Sequence, residues 1–259
     1  MTKFLSLSFA LAAITSSMFA DATIVEFQTT QGNVQVNLYD QTTPKTVANF
    51  LKYIEEGHYA SVVIHRSVTD FIIQGGGYKV DSGWPLTRLA TNASVVNEPI
   101  YSNVKGSIAM AKLGGQPNSA TDQWFFNMKD NSANLDVQNA GFTVFGQVIG
   151  DGMAVLEQIA QLSQCDADGA SSVVFDNLPV VNYSAQNCAD SSPLLFDNFV
   201  VINQIVIVDA SDATDSNLTK PKNTLINQQP EPTPNSGSGG GSFFWSLLFM
   251  PLVWLRKKY

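Results

Sequence analysis

Residues 63–80 read VIHRSVTDFIIQGGGYKV. An arginine, Arg66, follows a histidine, His65, inside a run of aliphatic residues that leads through Gln74 into three glycines and then back into a strand pattern. A guanidinium is costly to place among apolar side chains unless it is paired or used. The glycines do not make a phosphate loop, because no Gly-Lys-Ser/Thr follows and no helix begins there. Gly75, Gly76 and Gly77 read instead as a bulge or tight bend, where the backbone needs positive φ or close approach.

Outward from this stretch the chain is mostly strand. TIVEFQT (23–29) and NVQVNLY (33–39) alternate apolar and polar residues about a TQGN turn, the pattern of a hairpin with one buried face. A helix is expected next, with Thr43 as cap, Pro44 at its first position, Val47, Phe50, Leu51 and Ile54 at helical spacing, and Gly57 as stop. VKGSIAM (104–110), QWFFNM (123–128), FTVFGQVI (142–149) and FVVINQIVIV (199–208) read as further strands, and 150–162 as a second helix. Many short strands, glycine-rich turns and two helices predict a mainly β fold, a closed antiparallel barrel whose ends the helices cover. Residues 163–198 read as an elaborated loop with one short extra strand. The chain beyond Ala210 reads as a polar, disordered linker over 211–242, ending in the spacer PEPTPNSGSGGGS (230–242).

Both ends differ from the middle. MTKFLSLSFALAAITSSMFA (1–20) has the early lysine, apolar run and small-residue end of a secretory leader, with cleavage after Ala20 or Ala22. A short membrane anchor is the weaker alternative, because a span needs about 20 apolar residues. FFWSLLFMPLVWL (243–255) is apolar and aromatic and is followed by RKKY, which suits a short membrane segment with a cytoplasmic basic end. The glycine-rich motif, apolar stretch and basic end, about the last twenty residues, together resemble the GlyGly-CTERM sorting signal, which implies a Gram-negative envelope protein and trimming by a rhomboid-type protease. The periplasm or cell envelope is the expected location, with the protein tethered or released at the surface.

All 22 acidic residues lie between these ends, against ten basic ones there, so the middle carries a net charge of −12. That sign excludes a phosphate-binding, nucleic-acid partner surface. Cys165 and Cys188, in an exported chain, read first as a disulfide, with two separately buried thiols as the alternative. Their spacing matches no zinc pattern, so no metal site is expected.

With IHRSVTDFIIQGGGY, four more blocks in order, GSIAMA (106–111), SATDQWFFN (119–127), NLD (134–136) and FTVFGQV (142–148), resemble the cyclophilin family of peptidyl-prolyl isomerases. The likeness runs from about Ala22 to Leu162, resumes in the last strand, and is closest to the bacterial exported type. It implies an eight-stranded barrel with a surface groove for X-Pro segments of unfolded or folding proteins. No cofactor is implied, since no bond is broken, and a monomer suffices.

By that resemblance Arg66 is the catalytic donor, with Gln74 and Phe125 completing the catalytic set. Phe71, Ile72, Leu135 and Phe142 would line the proline pocket, and Gln123 and Ala111 would meet the peptide backbone. A guanidinium suits the task because it stays charged and presents several rigid donors. The amide barrier is about 18–20 kcal/mol, and a donor aimed at the nitrogen of the twisted amide lowers it by binding that form best. The bland role for Arg66 is an ion pair with Asp70. His65 is expected to be structural and to point away from Arg66, and His58 to lie at a helix end. Departures from the family include Ile64 before His-Arg, Thr69-Asp70 ahead of Phe71, Ile72, Asn134 where eukaryotic members carry a cyclosporin-contacting tryptophan, and Phe142 where they carry histidine. Weak cyclosporin binding alongside isomerase activity follows as an expectation.

Overall fold

A computed structural model describes residues 23–169, 173–210 and 218–227. The expected leader, the 228–242 part of the linker and the apolar tail lie outside these residues. In chain order the elements are β1 (Ile24–Thr29), β2 (Gly32–Leu38), α1 (Pro44–Glu55), β3 (Val62–Val63), β4 (Arg66–Val68), β5 (Ile72–Gly75), β6 (Tyr78–Lys79) and β7 (Thr87–Arg88). They continue with β8 (Ser107–Met110), β9 (Trp124–Asn127), α2 (Ser132–Leu135), β10 (Val144–Ile149) and α3 (Gly152–Ala160). The last are β11 (Ser163–Cys165), β12 (Leu178–Val180), α4 (Ala185–Ala189) and β13 (Val201–Asp209).

β11 and β12 pair separately, and the other eleven strands form one curled antiparallel sheet in the order β4-β5-β9-β8-β10-β2-β1-β13-β3-β6-β7. Its two ends are the same piece of chain. The Ile64 amide bonds to Val200 on the β13 side, and the next amide, that of His65, bonds to Gln74 on the β5 side. The stretch from β3 to β4 is therefore one bent strand, and β5 with β6 is a second bent strand beside it. Counted so, eight strands curl around the core and β7 is an added edge, as the sequence reading expects.

The three glycines sit where the second strand must follow the bend of the first. A methyl group on Gly75 would meet the Trp124 ring at 2.8 Å, and one on Gly77 would meet the Gln123 amide at 2.5 Å. Gly76 adds a φ of +101°, and a methyl group there would strike the Asp122 carbonyl. All three positions thus need close approach, and only Gly76 also needs the left-handed region.

Inside, Phe27 packs on Phe50, Trp124 and Phe126. α1 contributes Val47, Phe50 and Tyr53 to this core, and α3 contributes Leu156 and Ile159. Val155 of α3 fills the space beside Gly32 at the start of β2, whereas α1 follows the other end of that strand.

Two regions depart from the sequence expectation. Residues 163–198 hold not one extra strand but a paired β11–β12 hairpin, α4 and a final 3₁₀ turn, with a hydrophobic cluster of their own built on Val63, Val80, Leu178, Tyr183 and Phe199. Cys165 and Cys188 are bonded, with Cα atoms 5.8 Å apart, tying the hairpin to α4. Apolar residues spaced among polar ones were enough to build a satellite core once the barrel wall supplied Val63 and Val80. Residues 218–227, placed by composition in the disordered linker, instead form a strap on the barrel. The Asn223 amide bonds to Ile100, the Ser102 amide to Pro221, and Asn223 Nδ2 to the Asp136 carbonyl. Leu218 packs against the outer apolar cluster described below. Backbone pairing, which composition does not encode, holds this polar segment. Among the described residues no helix is long and apolar enough to cross a membrane.

Gly76→Ala is expected to destabilise the fold by about 3 kcal/mol or more, whereas Gly57→Ala, whose φ is +67° but which has nothing within 4 Å, costs about 1 kcal/mol. Urea unfolding of both variants checks this, and equal losses would show that close approach at Gly76 does not matter.

Candidate functional site

Cross-strand register assembles the site. Arg66 pairs with Gln74, Gln74 with Phe125, and Phe125 with Ala109, so four adjacent strands place one residue each in a single row. Neighbours Ile73, Trp124, Phe126 and Ile108 belong to the barrel core. Alternation therefore puts Arg66, Gln74, Ile72 and Phe125 on the outside of the barrel wall. The site is a surface laid on the barrel, not a hole through it.

Its polar half is a relay. Arg66 Nη1 donates to Gln74 Oε1 at 3.4 Å, and Gln74 Nε2 donates to Gln123 Oε1 at 2.8 Å. The Gln123 carbonyl accepts from the Ala111 amide at 2.9 Å. Arg66 is only 6% exposed, yet its Nε has no hydrogen-bond partner among the described residues. Burial pushes its guanidinium down to about 10, opposed by the field of Asp176, so it remains a cation at neutral pH. The suspected partner Asp70 lies exposed in the β4–β5 turn at φ +51° and makes no ion pair with Arg66 among the described residues. The carboxylate that acts on Arg66 comes from the 163–198 segment, whose Asn177 carbonyl accepts from the Ser67 amide at 2.8 Å.

Behind Gln123 stands an ion cluster built on the buried Asp122 carboxylate. Asp122 Oδ2 lies 3.0 Å from Arg88 Nη1 and 3.3 Å from His58 Nε2. Burial raises this carboxyl, and the His58 and Arg88 side chains outweigh it to hold it below the ordinary carboxylate range. Arg88 also donates to the Gly77 carbonyl at 2.6 Å, joining the glycine bend to the relay.

The apolar half gathers Ile72, Phe125, Leu135 and Phe142 into one cluster with Tyr39, Tyr101, Ala109 and Val144. The Phe125 and Phe142 rings meet edge to face with centroids 5.7 Å apart. These four expected pocket residues are wholly buried, while Phe71 and Ala111 flank them half-buried. Of the site residues proposed from the sequence, Arg66, Gln74 and Phe125 lie in this row, Ile72, Leu135 and Phe142 join Phe125 in the cluster with Phe71 and Ala111 packed beside it, and Gln123 continues the relay from Gln74. An open depression of about 470 Å³ lined by Ser94, Leu113, Pro117 and Asn118 lies beyond Lys112, outside the cluster.

Sequence reading did not single out the amide relay beneath Phe71. Asn103 donates to Asp136 Oδ1 at 2.9 Å, Asn127 to Ser107 Oγ at 2.9 Å, and Asn131 to both Asn127 Oδ1 at 2.8 Å and the Phe71 carbonyl at 3.0 Å. The available signal was Asn127 ending an otherwise apolar strand. Lys112 was also missed. His65 does not point into the barrel; it packs on Tyr78 and on Phe175 of the 163–198 segment.

Comparison with known proteins agrees with this geometry. Residues 24–183 match the family described as cyclophilin type peptidyl-prolyl cis-trans isomerase/CLD. A peptidyl-prolyl cis-trans isomerase of Acinetobacter baylyi is 37% identical over 143 residues, 54% of this chain and 73% of the relative. Isomerase B of Escherichia coli is 36% identical over 142 residues, 52% of this chain and 83% of the relative. A crystal structure of a cyclophilin type isomerase from Cryptosporidium parvum superposes with a TM-score of 0.51 at 20% identity, covering 72% of this chain and 97% of that one.

His65 supplies a pH test. Burial, then neighbouring Arg66, pushes its imidazole from 6.5 down to about 3. The unfolded chain takes up a proton through 6.5 that the folded chain refuses, so this contribution is full above pH 6.5 and is lost as pH falls toward 3. Between pH 6.5 and 5 the slope approaches about 1.4 kcal/mol per pH unit, and His65→Leu should remove it. Denaturant unfolding at several pH values reads the slope; parallel curves for both proteins would refute the assignment.

Proposed function

The chain belongs to the cyclophilin-type peptidyl-prolyl cis-trans isomerase family, and we propose that it binds X-Pro segments of exported proteins on the row described above and speeds their folding. The observation that carries this reading is the set of Arg66 donors held rigidly beside an apolar cluster, with Gln74 and Gln123 fixing the guanidinium from behind.

The physical task is to favour a twisted amide. Rotation breaks the resonance of the C–N bond and leaves a lone pair on the proline nitrogen. Arg66 donates to that nitrogen, so the twisted form is held better than either planar one. Burial of the guanidinium strengthens the interaction, because little water competes for its donors. Phe71, Ile72, Phe125, Leu135 and Phe142 hold the proline ring by apolar contact, and Ala111 and Gln123 hold the peptide backbone. Ile72, Phe125, Leu135 and Phe142 are closed over one another, so ring binding includes side-chain adjustment at Phe71, which lies half-buried beside the cluster.

Export rests on the leader-like residues 1–20 and is supported by the Cys165–Cys188 disulfide, which persists in an oxidising compartment. The 243–259 segment serves as a sorting tail or tether, in contact with the membrane and a rhomboid-type protease.

Cis/trans exchange in a short Xaa-Pro peptide tests the reading with the full-length protein. Arg66→Ala should lower kcat/KM by about a hundredfold to a thousandfold, the size of effect known for loss of one transition-state donor. Phe125→Ala should chiefly raise KM. Peptide binding by the unmutated protein without acceleration would overturn the enzyme in favour of a peptide-holding adaptor.

A further inference from the structure

Lys112 lies on the loop after β8 and is 5% exposed. Its Nζ donates to the carbonyls of Asn139 at 2.9 Å and Gly141 at 2.6 Å and stands 4.7 Å from the centroid of the Phe142 ring. The turn it grips is strained, since Asn139, Ala140 and Gly141 have φ of 50°, 60° and 70°, three successive left-handed residues of which two are not glycine. Such residues persist only where their surroundings over-determine them. Here Asn97 Nδ2 donates to the Ala140 carbonyl at 2.8 Å and the Gly141 carbonyl at 2.9 Å, and Asn139 Nδ2 donates to the Leu113 carbonyl at 2.9 Å. Three consecutive carbonyls therefore converge on Lys112 and Asn97.

We propose that Lys112 is a positioning residue for the substrate wall: its ammonium pins the left-handed 139–141 turn and the Phe142 ring that follows, and so fixes the apolar face against which a proline ring packs. This rests on reading the cluster as the X-Pro site. Lys112 does not touch the rotating bond, so it acts on binding more than on the rotation step. A carbonyl pair and a ring face all favour the charged amine.

The carboxylates on the elements packed against Lys112 are engaged elsewhere, Asp136 with Asn103 and Glu98 with Thr46. Lys112 makes no ion pair among the described residues, and burial pushes its amine down to about 8. The clamp is charged below that pH and loses its charge above it.

The test compares the full-length protein with Lys112→Met, which keeps the apolar stem, and Lys112→Arg, which keeps the charge. KM and kcat for an Xaa-Pro peptide are measured from pH 6.5 to 9.5, with deuterium exchange of the 137–142 amides. Lys112→Met should raise KM about five- to tenfold with kcat within about twofold, and speed exchange in that turn. Lys112→Arg should restore KM to within about threefold. In the unmutated protein KM should climb as pH passes 8, while both variants stay flat. An unchanged KM and unchanged exchange in Lys112→Met, or a fall in kcat alone, would overturn the proposal. Absence of acceleration by the unmutated protein would sink the isomerase reading itself, and the exchange data would then decide the clamp separately.

Discussion

The barrel closes because the backbone between Val63 and Arg66 changes partner, bonding to β13 on one side of the bend and to β5 on the other. Closure removes the exposed edges that an open sheet would present. The same bend sets which way Arg66 points, so shutting the core and aiming the guanidinium are one event in the fold. The second strand can follow only because three successive residues lack a side chain, which lets the Trp124 ring, the Asp122 carbonyl and the Gln123 amide press directly on the backbone. From there the relay to Gln74, Gln123, Asp122 and Arg88 is fixed by neighbouring positions on neighbouring strands.

This arrangement divides labour between the two faces of one wall. Ile73, Trp124 and Phe126 fill the interior of the wall, while Gln74, Phe125 and Ile72, one residue out of phase, face the candidate site outside. A slip of one residue in the pairing of β5 with β9 would send the outward-facing residues inward and the core residues to the surface. Precision of the site is thus inherited from burial of aromatic area on the other face.

Much of this was legible in the sequence. Alternation located the strands, helical spacing located α1 and α3, and five ordered blocks pointed to the family and to Arg66, Gln74 and Phe125. What stayed hidden depended on contacts between distant parts of the chain. Asp70 is near Arg66 in sequence, but the field that reaches the guanidinium is that of Asp176, brought there by a hairpin lying along β4. Lys112 sits in a loop without periodicity, and its significance comes from two backbone carbonyls 27 and 29 residues away, which no side-chain pattern records. Residues 218–227 are polar in composition and are held by main-chain hydrogen bonds, to which composition is blind.

The strap has a mechanical consequence. Its bonds run to Ile100, Ser102 and Asp136, and Ile226 rests against Gly141, so the last described residues are fastened to the loop that carries Leu135 and Phe142 and not to the end of β13 alone. Tension pulling on residue 227 is therefore borne first by the segment that carries Leu135 and Phe142. A load applied there would reach the segment around Leu135 and Phe142 before it reached the strands of the sheet.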